Sequence, residues 1–486
     1  MQDPVTDMAQ KKYNIVWNLF YSSISTLTTF LLFLLMAFVG RNLGQKEYGV
    51  FVFALDFAAI FEMFTDFGLR DISVRNVSQN RSLMDKYIGN LIVWKTLLSG
   101  AVFVVLVAVV NAMGYDAQTR LTVYILAPSS FLKNMKYTVR IFFQVNDRFG
   151  WDTVLVALER ILLLGVGLAV LFKWHSLIPF VAAFTLVRLA DFLFTLAVLR
   201  WKIAPIRPQL DWSFMKRLQI DAFPLGLFFV IFTVYSYIDT VMLSKMAGMA
   251  DVGQYNAAFK IYEGITIVPT IFWLVVLPRL SELYVNNRTA HGKLAVRSVK
   301  AMFVIGLPTL LCGIFFSKWL IGFFFKDAFL PAVLALQILF LGLLFQYPNW
   351  MLNAILISAG RQKAILALGT AGLAVKVLLN AVLIPIYGFN GSAVSTVIGE
   401  SAIFMGLFAY IRSRVMDLPV LAAVVKPVVS GVGAVLGFWI FYRRSSASGL
   451  FFAAVFYSIG LLLTKTFEKH EWSALFSGIL AKTRTP

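Results

Sequence analysis

Residues 15–39 read IVWNLFYSSISTLTTFLLFLLMAFV, a stretch of 25 residues without a charged side chain. About 20 apolar residues are enough for an α-helix to cross the hydrocarbon core of a bilayer. Lys11 and Lys12 precede this stretch, which is too long for the apolar core of a signal peptide and is not followed by a small-residue cleavage site. We therefore predict that it is a retained signal anchor that spans the membrane.

Working outward from this first stretch, thirteen further apolar segments of similar length follow along the chain. Counting them in order gives fourteen predicted spans: 15–39, 48–68, 87–111, 120–142, 153–172, 177–199, 216–240, 252–278, 297–316, 330–357, 362–385, 389–411, 419–441 and 449–466. The predicted fold class is an all-α polytopic membrane protein.

The composition agrees with this fold class and excludes several others. Of the 486 residues, 59% are hydrophobic and 14% are charged, whereas a soluble domain carries about 25% charged residues. A soluble enzyme of this length could not bury so much apolar surface, and a disordered chain would contain less of it. The net charge is +19, but a nucleic-acid binder presents its basic residues on a polar surface, and this chain has little polar surface. Cys312 is the single cysteine, which excludes a disulfide framework, and we expect no metal site and no cofactor.

The basic residues predict the orientation of the spans. With the N-terminus in the cytoplasm, the inner segments carry 26 Lys and Arg and the outer segments carry 9. Cytoplasmic loops of membrane proteins are enriched in these residues. We therefore expect a multi-pass protein of the cytoplasmic membrane with both termini inside.

A weak internal repeat divides the spans into two lobes. A shift of 207 residues aligns Tyr48 with Tyr255, Ile60 with Ile267, and the intramembrane acid Asp56 with Glu263. Because this shift spans six helices, an even number, the two halves have the same orientation, as in transporters with parallel repeats. The predicted division begins with a cytoplasmic N-terminal segment (1–14), an N-lobe of spans 1–6 (15–200) and a cytoplasmic linker (201–215). A C-lobe of spans 7–12 (216–411), spans 13–14 (419–466) and a cytoplasmic amphipathic tail (467–486) follow.

Three short motifs, in order along the chain, carry a family resemblance. Arg41-Asn42-Leu43-Gly44 with Tyr48-Gly49 follows span 1, and Asp66-Phe67-Gly68-Leu69 with Arg75 follows span 2. The third motif lies at the hairpin between spans 11 and 12 and consists of Asn380, Ile384-Pro385, Tyr387-Gly388, Gly391, Ala393 and Thr396. Together they resemble the bacterial polysaccharide lipid flippases, the Wzx-type O-antigen and exopolysaccharide transporters of the multidrug/oligosaccharidyl-lipid/polysaccharide superfamily.

This resemblance implies two six-helix lobes around a central cavity that opens alternately to the two sides of the membrane. It implies a lipid-linked oligosaccharide as substrate, joined through pyrophosphate to a polyprenol. Membrane lipids, a polysaccharide polymerase and its chain-length machinery are implied partners. The drug-exporting branch of the superfamily usually has an acidic residue in the first span, whereas Tyr21 to Val39 contains no ionizable side chain beyond the tyrosine. This departure disfavours an exporter of cationic drugs.

Basic residues inside the spans are the candidate headgroup-binding groups. Charged side chains in a bilayer usually face a partner or a watery cavity, because exposure to hydrocarbon is unfavourable. Lys133, Lys136 and Arg140 share one stripe of span 4 and would attract a pyrophosphate, unless span 4 ends early and they are ordinary cytoplasmic charges. Lys260 is a further candidate. So is Lys95, for which extension to the membrane interface is the alternative.

Acidic residues in the spans predict ion coupling and structural pairs. Asp56 and Glu263, matched by the repeat, are candidates for coupling to a proton or sodium gradient, although Glu263 could simply neutralise Lys260 three residues away. Structural ion pairs are predicted for two hairpins, Arg160 with Asp191 and Lys376 with Glu400.

The predicted function is therefore lipid-linked oligosaccharide flipping by a protein that is not an enzyme. A drug or organic-cation exporter is the alternative within transport, and it would need an acidic cavity. A membrane glycosyltransferase or polymerase would need a long extramembrane loop with catalytic groups, and none is present. A scaffolding protein would not need charges inside the membrane.

Overall fold

A computed structural model of the chain describes residues 28–203, 205–418, 420–442, 446–464 and 466, and side chains within parts of the last two helices are outside this description. The described residues are helical apart from short connections. The α-helices, numbered in chain order, are α1 Thr29–Asp66, α2 Leu69–Gln79, α3 Met84–Ala112, α4 Ala117–Val145, α5 Phe149–Trp174, α6 Leu177–Lys202, α7 Trp212–Met246, α8 Met249–Ile265, α9 Ile267–Asn286, α10 Arg288–Phe325, α11 Ala332–Ser358, α12 Gln362–Tyr387, α13 Phe389–Arg414, α14 Val420–Tyr442 and α15 Ser446–Leu463. Single 3₁₀ turns occur at Arg81–Leu83 and Asp327–Phe329.

The predicted all-α polytopic fold is confirmed. Ten helices of the described chain are long and apolar enough to cross a membrane. The helix α4 is not among them because it carries the basic residues of predicted span 4, but its 29 residues extend about 43 Å, which exceeds the thickness of the hydrocarbon core. The predicted signal anchor lies partly outside the described residues, and the predicted amphipathic tail lies entirely outside them.

The described part of predicted span 1 forms the first arm of α1 and predicted span 2 forms the second, with an interruption at Gly44. This residue has φ 81° and ψ 179°, a conformation that is essentially restricted to glycine. Met36 and Val52 each lie eight residues from Gly44, and Thr29 and Ala59 each lie fifteen residues from it, yet all four line one cavity. The arms therefore run antiparallel, and Gly44 forms the turn between them.

The segment between α6 and α7, part of the predicted cytoplasmic linker, is fixed to the start of α3. Asp211 caps α7 by accepting a hydrogen bond from the Phe214 backbone N–H at 2.9 Å. Its carboxylate lies 2.8 Å from Lys86, and its own backbone N–H donates to Asn90 at 2.6 Å. The bond from the Lys86 ammonium and the bond from the Phe214 N–H lower the pKa of Asp211.

The chain forms two compact units. The first comprises Met1–Lys260, Ile321–Ala332 and Val377–Ser392, and the second comprises Ile261–Leu320, Val333–Lys376 and Ala393–Pro486. This division follows compactness rather than the order of the spans, and the lobe boundaries given above stay a prediction. A buried apolar cluster in the first unit joins α2 through α7 and includes Leu91, Phe142 and Leu199.

Candidate functional site

The first unit contains a cavity of about 270 Å³ that is lined by both apolar and polar side chains. Its wall is formed by α1, α4, α5, α6, α7 and the Lys260 position of α8. Four basic and two acidic side chains line it, together with several hydroxyl groups: Lys133, Arg160, Arg188, Lys260, Asp56, Glu159, Thr29, Ser129, Ser130, Tyr137 and Tyr237. The lining residues therefore carry a surplus of positive charge.

Lys133 is the member of the predicted span 4 stripe that lines this cavity. Its ammonium lies 2.8 Å from Glu62 of α1, and 28% of its side chain is exposed. Asn134 also donates to Glu62, at 3.3 Å. Lys133 is therefore held at the cavity wall by a buried carboxylate while part of its side chain remains accessible.

Lys136, one turn further along α4, is not a lining residue of this cavity. Only 1% of its side chain is exposed, and its ammonium lies 2.7 Å from both Glu159 of α5 and Asp191 of α6. It also donates to the Leu155 carbonyl at 2.8 Å. A lysine has three N–H donors, so these three acceptors saturate it. The prediction that Lys136 faces the cavity is wrong because neighbouring carboxylates bind it in the core.

Arg140 is likewise bound to a carboxylate outside the cavity wall. Its Nε and Nη2 donate to the two oxygens of Asp152 at 2.5 and 3.0 Å, and Gln144 donates to the same carboxylate at 3.0 Å. This forked arrangement is the geometry that arginine and a carboxylate prefer. The predicted stripe is therefore divided, since one of its three members lines the cavity and two belong to ion pairs with the following helices.

Lys95 is buried instead of extending to a surface, and it does not line the cavity. It is 1% exposed and forms a buried ion pair with Asp66. Its ammonium also donates to Asn134 at 2.7 Å and to Thr138 at 2.5 Å. Through its three oxygen acceptors Lys95 joins α3 to α1 and α4. The prediction that Lys95 binds the headgroup is therefore corrected to a structural contact.

The predicted ion pair between Arg160 and Asp191 is replaced by other contacts. Asp191 binds Lys136, as described above. Arg160 donates to the Thr28 hydroxyl at 2.7 Å and lines the cavity. A residue predicted to be a structural partner is therefore part of the cavity wall.

The two candidate ion-coupling acids lie in different surroundings. Asp56 is 5% exposed, lines the cavity and accepts a hydrogen bond from Thr240 at 2.7 Å. Lys260 lines the same cavity, with its ammonium 5.8 Å from the centre of the Tyr237 ring. Glu263 belongs to the second unit and is exposed near the end of α8. Their role in coupling stays a prediction.

The second predicted ion pair lies in the second unit. Lys376 is 1% exposed on α12, and Glu400 is 8% exposed on α13. Glu400 accepts a hydrogen bond from Asn349 of α11 at 3.0 Å. The pairing of Lys376 with Glu400 stays a prediction.

Arg188 and Glu159 also lie in predicted spans, and the sequence did not predict either of them as a site residue. Both line the cavity, and their ion pair has a separation of 3.1 Å. A signal for the α4–α5 contacts is present in the sequence, because Lys136 and Glu159 lie at nearly equal distances from the short turn between the two helices, as do Arg140 and Asp152. Opposite charges so placed face each other across an antiparallel hairpin.

No group of three His, Cys, Asp or Glu side chains in the described segments is arranged to hold a metal ion. The cavity can bind an anion through its guanidinium and ammonium groups, and its hydroxyl groups can donate further hydrogen bonds to phosphate or sugar oxygens.

Two family models match the chain. The model described as "Polysaccharide biosynthesis protein" matches residues 15–284, and "MatE" matches residues 224–382. The chain is similar to the "Putative O-antigen transporter" of Shigella flexneri, with 22% identity over 398 residues that cover 79% of this chain and 93% of that protein. It is also similar to an uncharacterized membrane protein of Methanocaldococcus jannaschii, with 22% identity over 404 residues that cover 76% and 78% of the two chains.

Solved structures share the fold. The "Lipid II flippase MurJ, inward closed conformation" has a TM-score of 0.73 and 16% identity, covering 95% of this chain and 100% of that one. An inward-facing multidrug resistance MATE family transporter of the MOP superfamily has a TM-score of 0.63 and 15% identity, covering 82% and 98%. At these identities the likeness concerns the fold alone.

Proposed function

Because the chain belongs to the polysaccharide biosynthesis protein family, whose model matches more than half of it, we propose that it moves a lipid-linked oligosaccharide across the cytoplasmic membrane. The chain is a membrane transporter of the multidrug/oligosaccharidyl-lipid/polysaccharide superfamily and not an enzyme. The proposed substrate carries its glycan on a polyprenyl pyrophosphate.

The observation that carries this proposal is the charge of the cavity wall. Arg160, Arg188, Lys133 and Lys260 outnumber the lining acids Asp56 and Glu159 by four to two. In a low-dielectric environment a positive surplus attracts an anionic headgroup, and arginine can bind two phosphate oxygens at once. A cationic substrate would be repelled by the same wall.

The proposed mechanism is alternating access. The headgroup and glycan enter from the cytoplasm, the side on which the predicted orientation places both termini, while the polyprenyl tail stays in the bilayer. The predicted lobes then rock, and the headgroup emerges on the outer side. Asp56 and Glu263 are the groups proposed to couple this cycle to a proton or sodium gradient, and a polysaccharide polymerase with its chain-length machinery would receive the product.

The test is transport by the full chain in vesicles that contain a polyprenyl-pyrophosphate oligosaccharide in the inner leaflet, scored by the appearance of glycan outside. The substitutions Lys260→Gln and Arg188→Gln each remove a lining cation, and we expect at least a tenfold loss of rate from each. The matched control is Lys216→Gln, because Lys216 is an exposed lysine near the start of α7, away from the cavity lining. Equal rates in all three variants would contradict the proposal.

A cationic-drug exporter is the second candidate, favoured by the "MatE" match to residues 224–382. It predicts that removing a lining acid, as in Asp56→Asn, abolishes export of an organic cation, whereas removing Lys260 increases it. Uptake of a fluorescent organic cation into inverted vesicles that contain the same variants distinguishes the two candidates.

A further inference from the structure

A layer of four buried charges lies at and behind one wall of the cavity. Arg188 of α6 and Glu159 of α5 line the cavity, while Lys136 of α4 and Asp191 of α6 lie beyond them, away from its lining. The two carboxylates and the two cations are each less than 10% exposed. With two positive and two negative groups, the layer is neutral as a set.

The two cations of this layer are held very differently. Lys136 contacts three acceptors at 2.7–2.8 Å and is saturated. The Nη1 of Arg188 lies 3.1 Å from Glu159 without hydrogen-bond geometry, and its buried Nε has no hydrogen-bond partner in the described chain. Arg188 is therefore the cation that can turn toward an anion in the cavity, whereas Lys136 stays in place.

The two carboxylates also differ. Glu159 contacts both Lys136 and Arg188. Asp191 contacts Lys136 through Oδ2, while its Oδ1 is buried and has no hydrogen-bond partner among the described residues. This oxygen is an acceptor position without a donor, in a side chain that is 2% exposed.

We propose that Asp191 is a proton-binding site linked to the anion site, so that an anionic headgroup bound to Arg188 causes Asp191 to take up one proton on Oδ1. This inference rests on the proposed function, since it requires that the cavity bind a pyrophosphate. A hydronium ion of the aqueous solution supplies the proton. One of its O–H bonds breaks and leaves a water molecule, and a new O–H bond at Oδ1 converts the Asp191 carboxylate to a neutral carboxylic acid.

The physical reason is the charge of the layer after Arg188 turns to the ligand. Lys136 then faces Glu159 and Asp191 alone, which leaves one uncompensated negative charge beside a bound anion. A buried charge without a partner is strongly unfavourable, and a carboxyl group in that position protonates instead. Glu159 lines the cavity, so it stays near the Arg188 guanidinium after the turn, whereas Asp191 lies behind the wall and already has an oxygen without a donor. The proton therefore binds at Asp191.

Every helix that contributes a charged group to this layer can be named. Lys136 faces Asp191 from α4, Glu159 lies across from it on α5, and Arg188 lies on α6 itself. The helix α1 presents the Phe51 ring to Phe180 and Phe184 of α6 and so adds an apolar wall.

Linkage between two sites is reciprocal, so protonation of Asp191 must also strengthen anion binding. The dissociation constant for a pyrophosphate headgroup falls as the pH falls, by at most tenfold per pH unit for one linked proton. In transport, anion loading from the cytoplasm then carries a proton into the N-terminal half of the molecule.

The experiment counts protons bound with a ligand. Farnesyl pyrophosphate is titrated calorimetrically into the full chain in detergent, at one pH, in buffers with different ionisation enthalpies. The ligand's own protons are the same in every variant, so differences between variants report on the protein. We expect Asp191→Asn to bind fewer protons per ligand than the wild type, with a difference of up to one proton. The matched control Asp152→Asn removes another buried carboxylate that pairs with an α4 cation but does not line the cavity, and we expect wild-type uptake.

Each outcome decides something. Binding with equal proton uptake in the wild type and Asp191→Asn overturns the inference and leaves the proposed function intact, whereas absence of binding by the wild type contradicts the proposed function and the inference with it. Asp191→Glu, which keeps a carboxyl group, is expected to retain uptake. If Asp191→Asn does not fold, infrared difference spectra of the wild type give the answer, because ligand binding must then produce the carbonyl stretch of a newly protonated carboxyl group.

Discussion

Lys133 and Lys136 lie one turn apart on α4, yet one belongs to the cavity and the other to the core. Lys133 has one carboxylate contact, with Glu62, and is 28% exposed, whereas Lys136 has three acceptors and is 1% exposed. The number of acceptors and the burial of the ammonium, not the position on the helix, decide whether an intramembrane lysine is structural or available to a ligand.

The largest expected effect is the loss of stability when the buried contacts of Lys136 are removed. Lys136→Met leaves Glu159 and Asp191 without their shared ammonium, and unpairing buried charges of this kind costs about 3–5 kcal/mol of the free energy of unfolding. Lys133→Met is the matched control and should cost about 1–2 kcal/mol, because Glu62 keeps its bond from Asn134. Thermal unfolding in detergent measures both. Equal losses would mean that the two lysines do not differ in their contacts as described.

A smaller effect is expected on anion binding at Lys133, the lysine that lines the cavity. Glu62→Gln removes the carboxylate that holds Lys133 and makes the cavity more positive by one charge. A gain of about 1 kcal/mol corresponds to roughly fivefold tighter binding of farnesyl pyrophosphate. Titration calorimetry measures it, with Asp152→Asn as the control, because that carboxylate binds Arg140 away from the cavity lining. An unchanged dissociation constant for Glu62→Gln would argue that Lys133 does not contact the headgroup.

The smallest effect concerns the geometry of a pair rather than its charge. Arg140→Lys keeps the cation beside Asp152 but loses one of the two forked hydrogen bonds, at 2.5 and 3.0 Å. We expect a loss of about 0.5–1.5 kcal/mol in the free energy of unfolding and no change in anion affinity. A change in anion affinity would instead place Arg140 at the cavity, as the sequence pattern predicted.

The membrane-spanning helices could be predicted from the sequence because length and hydropathy determine them locally. Positions 133, 136 and 140 do share one face of α4, as their spacing requires. The spacing does not predict which helix packs against each end of that face. Lys133 meets α1, and Lys136 and Arg140 meet α5 and α6, because long side chains reach whichever carboxylate the packing presents.

The pairing of acids with bases was the part least accessible to sequence reasoning. Arg160 and Asp191 lie at similar depths on adjacent spans, which suggested a pair, but Asp191 instead binds a lysine on a third helix. Similar depth on two helices is not enough for a contact, because each helix must also be rotated about its axis so that the two side chains face each other. The Arg140–Asp152 pair was accessible in principle because a short turn fixes both coordinates for its two helices.

The turn at Gly44 has a consequence for how the protein is made. The two arms of α1 must enter the bilayer together as a hairpin, since the chain reverses between them at a single residue. In the orientation proposed above, the tip of this hairpin carries Arg41 and Lys46 outward against a membrane potential that is negative inside. Each charge requires about 2.3 kcal/mol of electrical work per 100 mV. Insertion of this hairpin is therefore voltage-dependent, and it should proceed more readily in depolarised membranes.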